Sequence, residues 1–174
     1  MCSNPPMDVA PLLLELFGRI PPLAHDAVDG LDAVSLAARP GDGVNPIGWL
    51  VWHLTRVEDH HLSAILGRDQ LWVTDGWAER FGLAADPENT GYGHHDDEVA
   101  TVRPEGPDVL LGYLAAVDAR TRGLLGGLSP HDLDRIVDER WDPPVTLGVR
   151  LVSVADDCLQ HLGQANYVRG LLAR

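Results

Sequence analysis

The sequence predicts an all-α fold: an antiparallel four-helix bundle with a long irregular connection between helices two and three. Three observations carry this. Apolar residues recur at i, i+3, i+4 and i+7 in four long stretches, almost no run alternates with the period of two that marks a strand, and Pro/Gly-rich segments separate the stretches. Helices that each hide one apolar stripe are most simply buried around a shared core. At 174 residues the chain reads as one domain, 1–174, long enough to bury such a core.

The first helix is expected over 8–28, with Val9, Leu12, Leu13, Leu16, Phe17 and Ile20 on its apolar face and Asp8 as its cap. Pro21-Pro22 should kink or interrupt it, because each proline lacks a donor and crowds the preceding turn. A short turn at 31–38 and a Pro/Gly loop follow. The second helix is expected over 45–67. Asn45 suits the cap, Pro46 the first helical position and Gly67 the stop, around a stripe of Ile47, Leu50, Val51, Leu54, Val57, Leu62 and Ile65. Residues 68–105 are irregular, with a short helix expected over 75–81 and a turn-rich loop over 87–95. The third helix is expected over 107–125, closed by Gly126-Gly127, and a short helix opens at Ser129-Pro130. After a loop or extended pair over 137–147, the last helix runs over 149–172, with Leu151, Val154, Cys158, Leu162, Ala165, Val168 and Leu172 as its apolar series.

Composition excludes several functions. Acidic residues outnumber basic ones 26 to 13, giving a formal charge of −13, which repels phosphate backbones and anionic lipid headgroups. No nucleic-acid or membrane partner is therefore expected. All 13 basic residues are arginine, so no lysine is available for a Schiff base or a Walker-type phosphate loop. Cys2, near the N-terminus, and Cys158, in the last helical pattern, form no disulfide framework, and the start of the chain lacks the basic and apolar regions of a signal peptide. A cytoplasmic protein is expected.

Two places put ligand-type side chains among the apolar stripes. In the second helix His53 falls three residues after Leu50 and four before Val57, and His60 lies two turns further along. A lone helical histidine is more often a hydrogen-bonded core residue than a ligand. In the last helix Asp157 and His161 are i and i+4, so their side chains meet on one face. That pair alone is weak evidence. Together with His53 it makes a facial N,N,O set, which leaves positions open to water or substrate, as a catalytic rather than a structural metal site does. Trp49 and Trp52 are expected in the core. Trp72, Trp77, Phe81 and Tyr92 either wall a substrate pocket or cover one end of the bundle. Arg56 and Arg80 read as surface charges before they read as anion holders, and His94 and His95 as solvent-facing.

The segments NPIGWLVWH, from Asn45 to His53, and DCLQHLGQANYVRG, from Asp157 to Gly170, resemble the DinB/YfiT-like metalloenzymes. These include the metal-binding domain of mycothiol-dependent maleylpyruvate isomerase and bacterial thiol S-transferases. The resemblance covers nearly the whole chain in element order. It implies a four-helix bundle whose divalent ion, Zn²⁺ first with Ni²⁺ or Fe²⁺ as alternatives, is held by His53, Asp157 and His161. Many members carry histidine where this chain has Asp157, and the isomerase branch carries a carboxylate there. The implied activity is transfer of a low-molecular-weight thiol of the mycothiol type to a small electrophile. Apart from the resemblance, His60 is a candidate for acting on the ligands from outside or in proton transfer. Two alternatives stand beside the implied activity: a hydrolase with a metal-bound water, and a non-enzymatic, homodimeric ligand-binding bundle with a vestigial metal site.

Overall fold

The computed structural model describes residues 7–173, so Cys2 lies outside the described residues. The chain is mostly helical. The expected first helix is two: α1 (Val9–Phe17) and α2 (Ile20–Val28). The break falls at Gly18-Arg19 rather than at the prolines. Pro21 and Pro22 cannot donate to the turn before them, so the chain restarts and uses them in the first turn of α2, where no donor is needed. The turn at 31–38 contains α3 (Ala33–Ala37), whose cap Asp32 accepts from the backbone N–H of Ser35 at 2.8 Å.

The next helix, α4 (Ile47–Leu66), is the centre of the molecule, with 14 of its 20 residues buried. Asn45 does not cap it. Pro46 takes the cap position in an extended conformation without a side-chain bond. Gly67 ends the helix at φ 62°, the left-handed conformation that glycine adopts without steric cost. Its sequence is less uniformly apolar than its burial: Arg56, Glu58 and Asp59 are interior residues alongside Leu50, Trp52, Leu54 and Leu62.

The irregular stretch 68–105 contains three short helices, α5 (Leu71–Thr74), α6 (Trp77–Arg80) and α7 (Asp96–Val99). Then α8 (Pro107–Leu125) begins with proline in its first turn and ends at Gly126. After a 3-10 turn at Pro130–Asp134, strands β1 (Ile136–Asp138) and β2 (Val145–Thr146) pair antiparallel, with Ile136 opposite Thr146. Thr146 caps α9 (Leu147–Leu172), which starts two residues earlier than its apolar pattern suggests.

Packing centres on α4 against α9, with α8 and α2 completing the core. Leu50 and Leu54 of α4, Leu110 and Val117 of α8, and Leu151 and Leu162 of α9 are each at most 1% exposed. No helix among the described residues is long and apolar enough to cross a membrane.

Candidate metal centre

The α4–α9 contact brings together His53, Asp157 and His161, whose nearest ligand-type atoms all lie within 4.8 Å of one another. The i, i+4 spacing on α9 sets Asp157 Oδ1 3.6 Å from His161 Nε2. The His53 and His161 rings meet edge to face with centroids 4.7 Å apart. Asp156 turns outward, where its Oδ2 accepts from Gln160 Nε2 at 2.7 Å.

Hydrogen bonds fix what these groups offer. His53 Nδ1 lies 2.6 Å from the Thr90 carbonyl. A carbonyl only accepts, so Nδ1 carries the proton and Nε2 keeps its lone pair. His161 Nδ1 lies 2.9 Å from Gln164 Oε1, which leaves its Nε2 in the same state. Asp157 Oδ2 is buried with no hydrogen-bond partner. With His161 deprotonated, two imidazole nitrogens and a carboxylate meet in this cluster, and one carboxylate oxygen has no partner. Buried polar atoms are seldom left this way, and a cation fits this set. Burial holds the His53 ring below its ordinary pKa, against the pull of Thr90, so the ring is neutral near pH 7. For His161 burial pulls the same way, but Asp157 and Gln164 outweigh it and the pKa is raised.

Trp49 stacks on the His53 ring at 4.7 Å and 12°, fixing its plane. The loop over 86–94 also closes on it, at the Nδ1 edge. Gly91 has φ +92°, and a Cβ there would meet His53 Nδ1 at 2.8 Å and the Trp52 ring at 2.9 Å, so only glycine lets the loop approach. His94 is half-buried rather than solvent-facing. Its Nδ1 accepts from Trp49 Nε1 at 3.2 Å, and its Nε2 donates to Asn89 Oδ1 at 2.9 Å. His95 is exposed, as expected.

A cleft of about 360 Å³ opens beside the triad, lined by His53, Asp157, Thr90, His60, His61, Glu88 and Tyr92. A larger cleft of about 580 Å³ runs past Arg68, Arg120 and Leu128 and contains none of the triad. His60 stands on the wall of the first cleft, with Nδ1 3.1 Å from Gln70 Nε2. Of the four aromatics considered for the pocket, Tyr92 is at the cleft and 92% exposed. The other three are core residues. Trp72, Trp77 and Phe81 pack around Tyr113 at centroid distances of 5.6, 5.4 and 6.1 Å, because large apolar rings gain more from burial there than at a wet cleft. The surface role considered for Arg56 is also corrected: it is fully buried. Arg80 is exposed and lies over the Trp77 ring at 4.4 Å.

His61 is a further residue of the first cleft's wall that spacing alone does not single out as functional. Its Nε2 is 3.5 Å from Arg150 Nη1, and burial, then Arg150, then His60 push its pKa down to about 4. The spacing gives only its face: His61 follows His53 by eight residues through Val57, so all three share one helical face.

A helical core with an N,N,O cluster between two of its long helices is the class of molecule the fold and site define. Residues 17–165 match the family model of the DinB superfamily, and the chain belongs to that superfamily. It is also similar to a solved structure described as the crystal structure of the conserved protein of locus from Enterococcus faecalis. The two are 33% identical with a TM-score of 0.87, over 95% of this chain and 98% of that one. No curated protein matches the chain.

Proposed function

We propose that this chain is a divalent-metal-dependent enzyme that transfers a low-molecular-weight thiol, of the mycothiol type, to a small electrophile in the cytoplasm. In this reading α1 and α2 together count as one member of a four-helix bundle with α4, α8 and α9. His53, Asp157 and His161 hold the ion, and Zn²⁺ suits two imidazoles and a carboxylate. The observation that carries the proposal is Asp157, one of whose carboxylate oxygens is buried and unpartnered, clustered with two histidines whose Nδ1 atoms are already committed.

A divalent ion held by these three residues would supply the charge that keeps a thiol deprotonated near neutral pH, and the thiolate is the nucleophilic form. The chain's own residues do the rest. Thr90 and Gln164 orient the two rings, Trp49 holds the plane of the first, and the 86–94 loop shields that ring from water. His60 and Glu88 on the cleft wall are placed to take up and return a proton, and Tyr92 offers its ring to the substrate.

Elemental analysis of protein purified without added metal, followed by assay with a chromogenic electrophile, tests this. About one equivalent of metal and turnover that requires added thiol are the expected results. Turnover of an ester without thiol would support the hydrolase reading. Less than about a tenth of an equivalent, with no turnover on reloading, would support the non-enzymatic one.

A further inference from the structure

A buried cation lies directly behind the loop that touches the triad. Every donor position of Arg56 is engaged. Nε donates to the Asn89 carbonyl at 3.1 Å, and Nη2 to the carbonyls of Pro87 at 3.1 Å and Asp86 at 3.3 Å. Nη1 donates to Gln70 Oε1 at 2.7 Å and to Tyr113 Oη at 3.3 Å. The guanidinium lies 4.7 Å over the Trp72 ring. Three of these acceptors belong to one stretch of main chain, 86–89, and the next carbonyl along is Thr90, the acceptor for His53 Nδ1.

This is costly placement for a charge. The nearest carboxylate, Asp59, is 3.9 Å away and already accepts from two backbone N–H groups and two hydroxyls. An apolar side chain there would avoid that cost. A planar guanidinium holds several main-chain carbonyls in fixed directions with five donors in a rigid fork, where a lysine ammonium has three donors on a shorter reach.

We infer that Arg56 is a positioning residue for the candidate metal centre: by clamping the 86–89 carbonyls it holds Thr90 against His53, fixing the Nδ1–H tautomer and leaving Nε2 free for the triad. The effect on metal binding rests on the proposed function, whereas the effect on the tautomer does not.

Nitrogen-15 imidazole spectra of the whole metal-free protein at pH 8, together with Zn²⁺ titration, test it in Arg56→Lys, Arg56→Met and Gly91→Ala. Wild type should show His53 as the Nδ1–H form. In each variant the signal should move toward the Nε2–H form, with the Zn²⁺ Kd rising roughly 10–100-fold. Gly91→Ala displaces the same loop through contacts with His53 and Trp52 rather than through Arg56, so it decides the loop–histidine step even if neither Arg56 variant folds. An unchanged tautomer and Kd in folded Arg56→Lys, with only a lower melting temperature, would leave Arg56 a purely structural residue and overturn the inference. An unchanged tautomer in Gly91→Ala would overturn it too. If wild type binds no Zn²⁺ while the variants still shift the tautomer, the metal reading fails and the positioning role stands.

Discussion

Asp59 Oδ2 accepts the backbone N–H of Trp72 at 2.8 Å, tying the first turn of α5 to the middle of α4. The same carboxylate accepts from Leu71 N at 3.1 Å, Ser63 Oγ at 3.1 Å and Tyr113 Oη at 2.8 Å. Arg120 and Arg56 stand 3.8 and 3.9 Å from it. Removing one side of such a cluster strands the other side in the core. Asp59→Ala is therefore expected to destabilise the fold by about 3–5 kcal/mol in urea denaturation, and Asp59→Asn by less, because the amide oxygen still accepts. Equal and small losses in both would show that the cluster contributes little.

Glu58 gives the fold a pH dependence. It is buried beside Thr121, whose hydroxyl donates to Oε1, and burial raises its pKa from 4.5 to about 7. The folded state then binds a proton more tightly than the unfolded chain. Its contribution is fully present below the unfolded pKa and is lost as pH rises through the folded one. Stability should fall between about pH 5 and pH 8 by an amount on the order of 3 kcal/mol, and Glu58→Gln should remove that slope. Denaturation curves for wild type and variant that stay parallel across this range would contradict the assignment.

Trp72 and Tyr92 should separate structure from substrate contact. Trp72 is 1% exposed among Phe81, Tyr113 and Arg56. Trp72→Ala is expected to cost about 3–5 kcal/mol of stability. Tyr92→Ala should leave stability within about 0.5 kcal/mol and weaken thiol binding to the metal-loaded protein. Unchanged thiol affinity in Tyr92→Ala would remove Tyr92 from the substrate site.

The parts of this molecule written in local spacing were legible in the sequence. The bounds of α8 follow from Pro107 and Gly126, and the shared face of Asp157 and His161 from their separation along α9. The break before α2 was misplaced because proline acts on the turn that precedes it. The role of the 86–94 loop was hidden, since Thr90 meets His53 across 37 positions and no periodicity reports such a contact. Arg56 did carry a clue. It follows Trp52 by four residues and precedes Asp59 by three, so it stands on the buried stripe, but its charge argued against reading it as interior.

His53, Asp157 and His161 are proposed to hold one divalent ion. Zn²⁺ titration of the metal-free protein, its three single alanine variants at these positions and Asp156→Ala tests it most directly. One site is expected in wild type and in Asp156→Ala, with an affinity loss of about a hundredfold or more in each of the other three, because each removes one of three ligands to the ion. Equal affinity in all five proteins, or an equal loss in Asp156→Ala and Asp157→Ala, would contradict it.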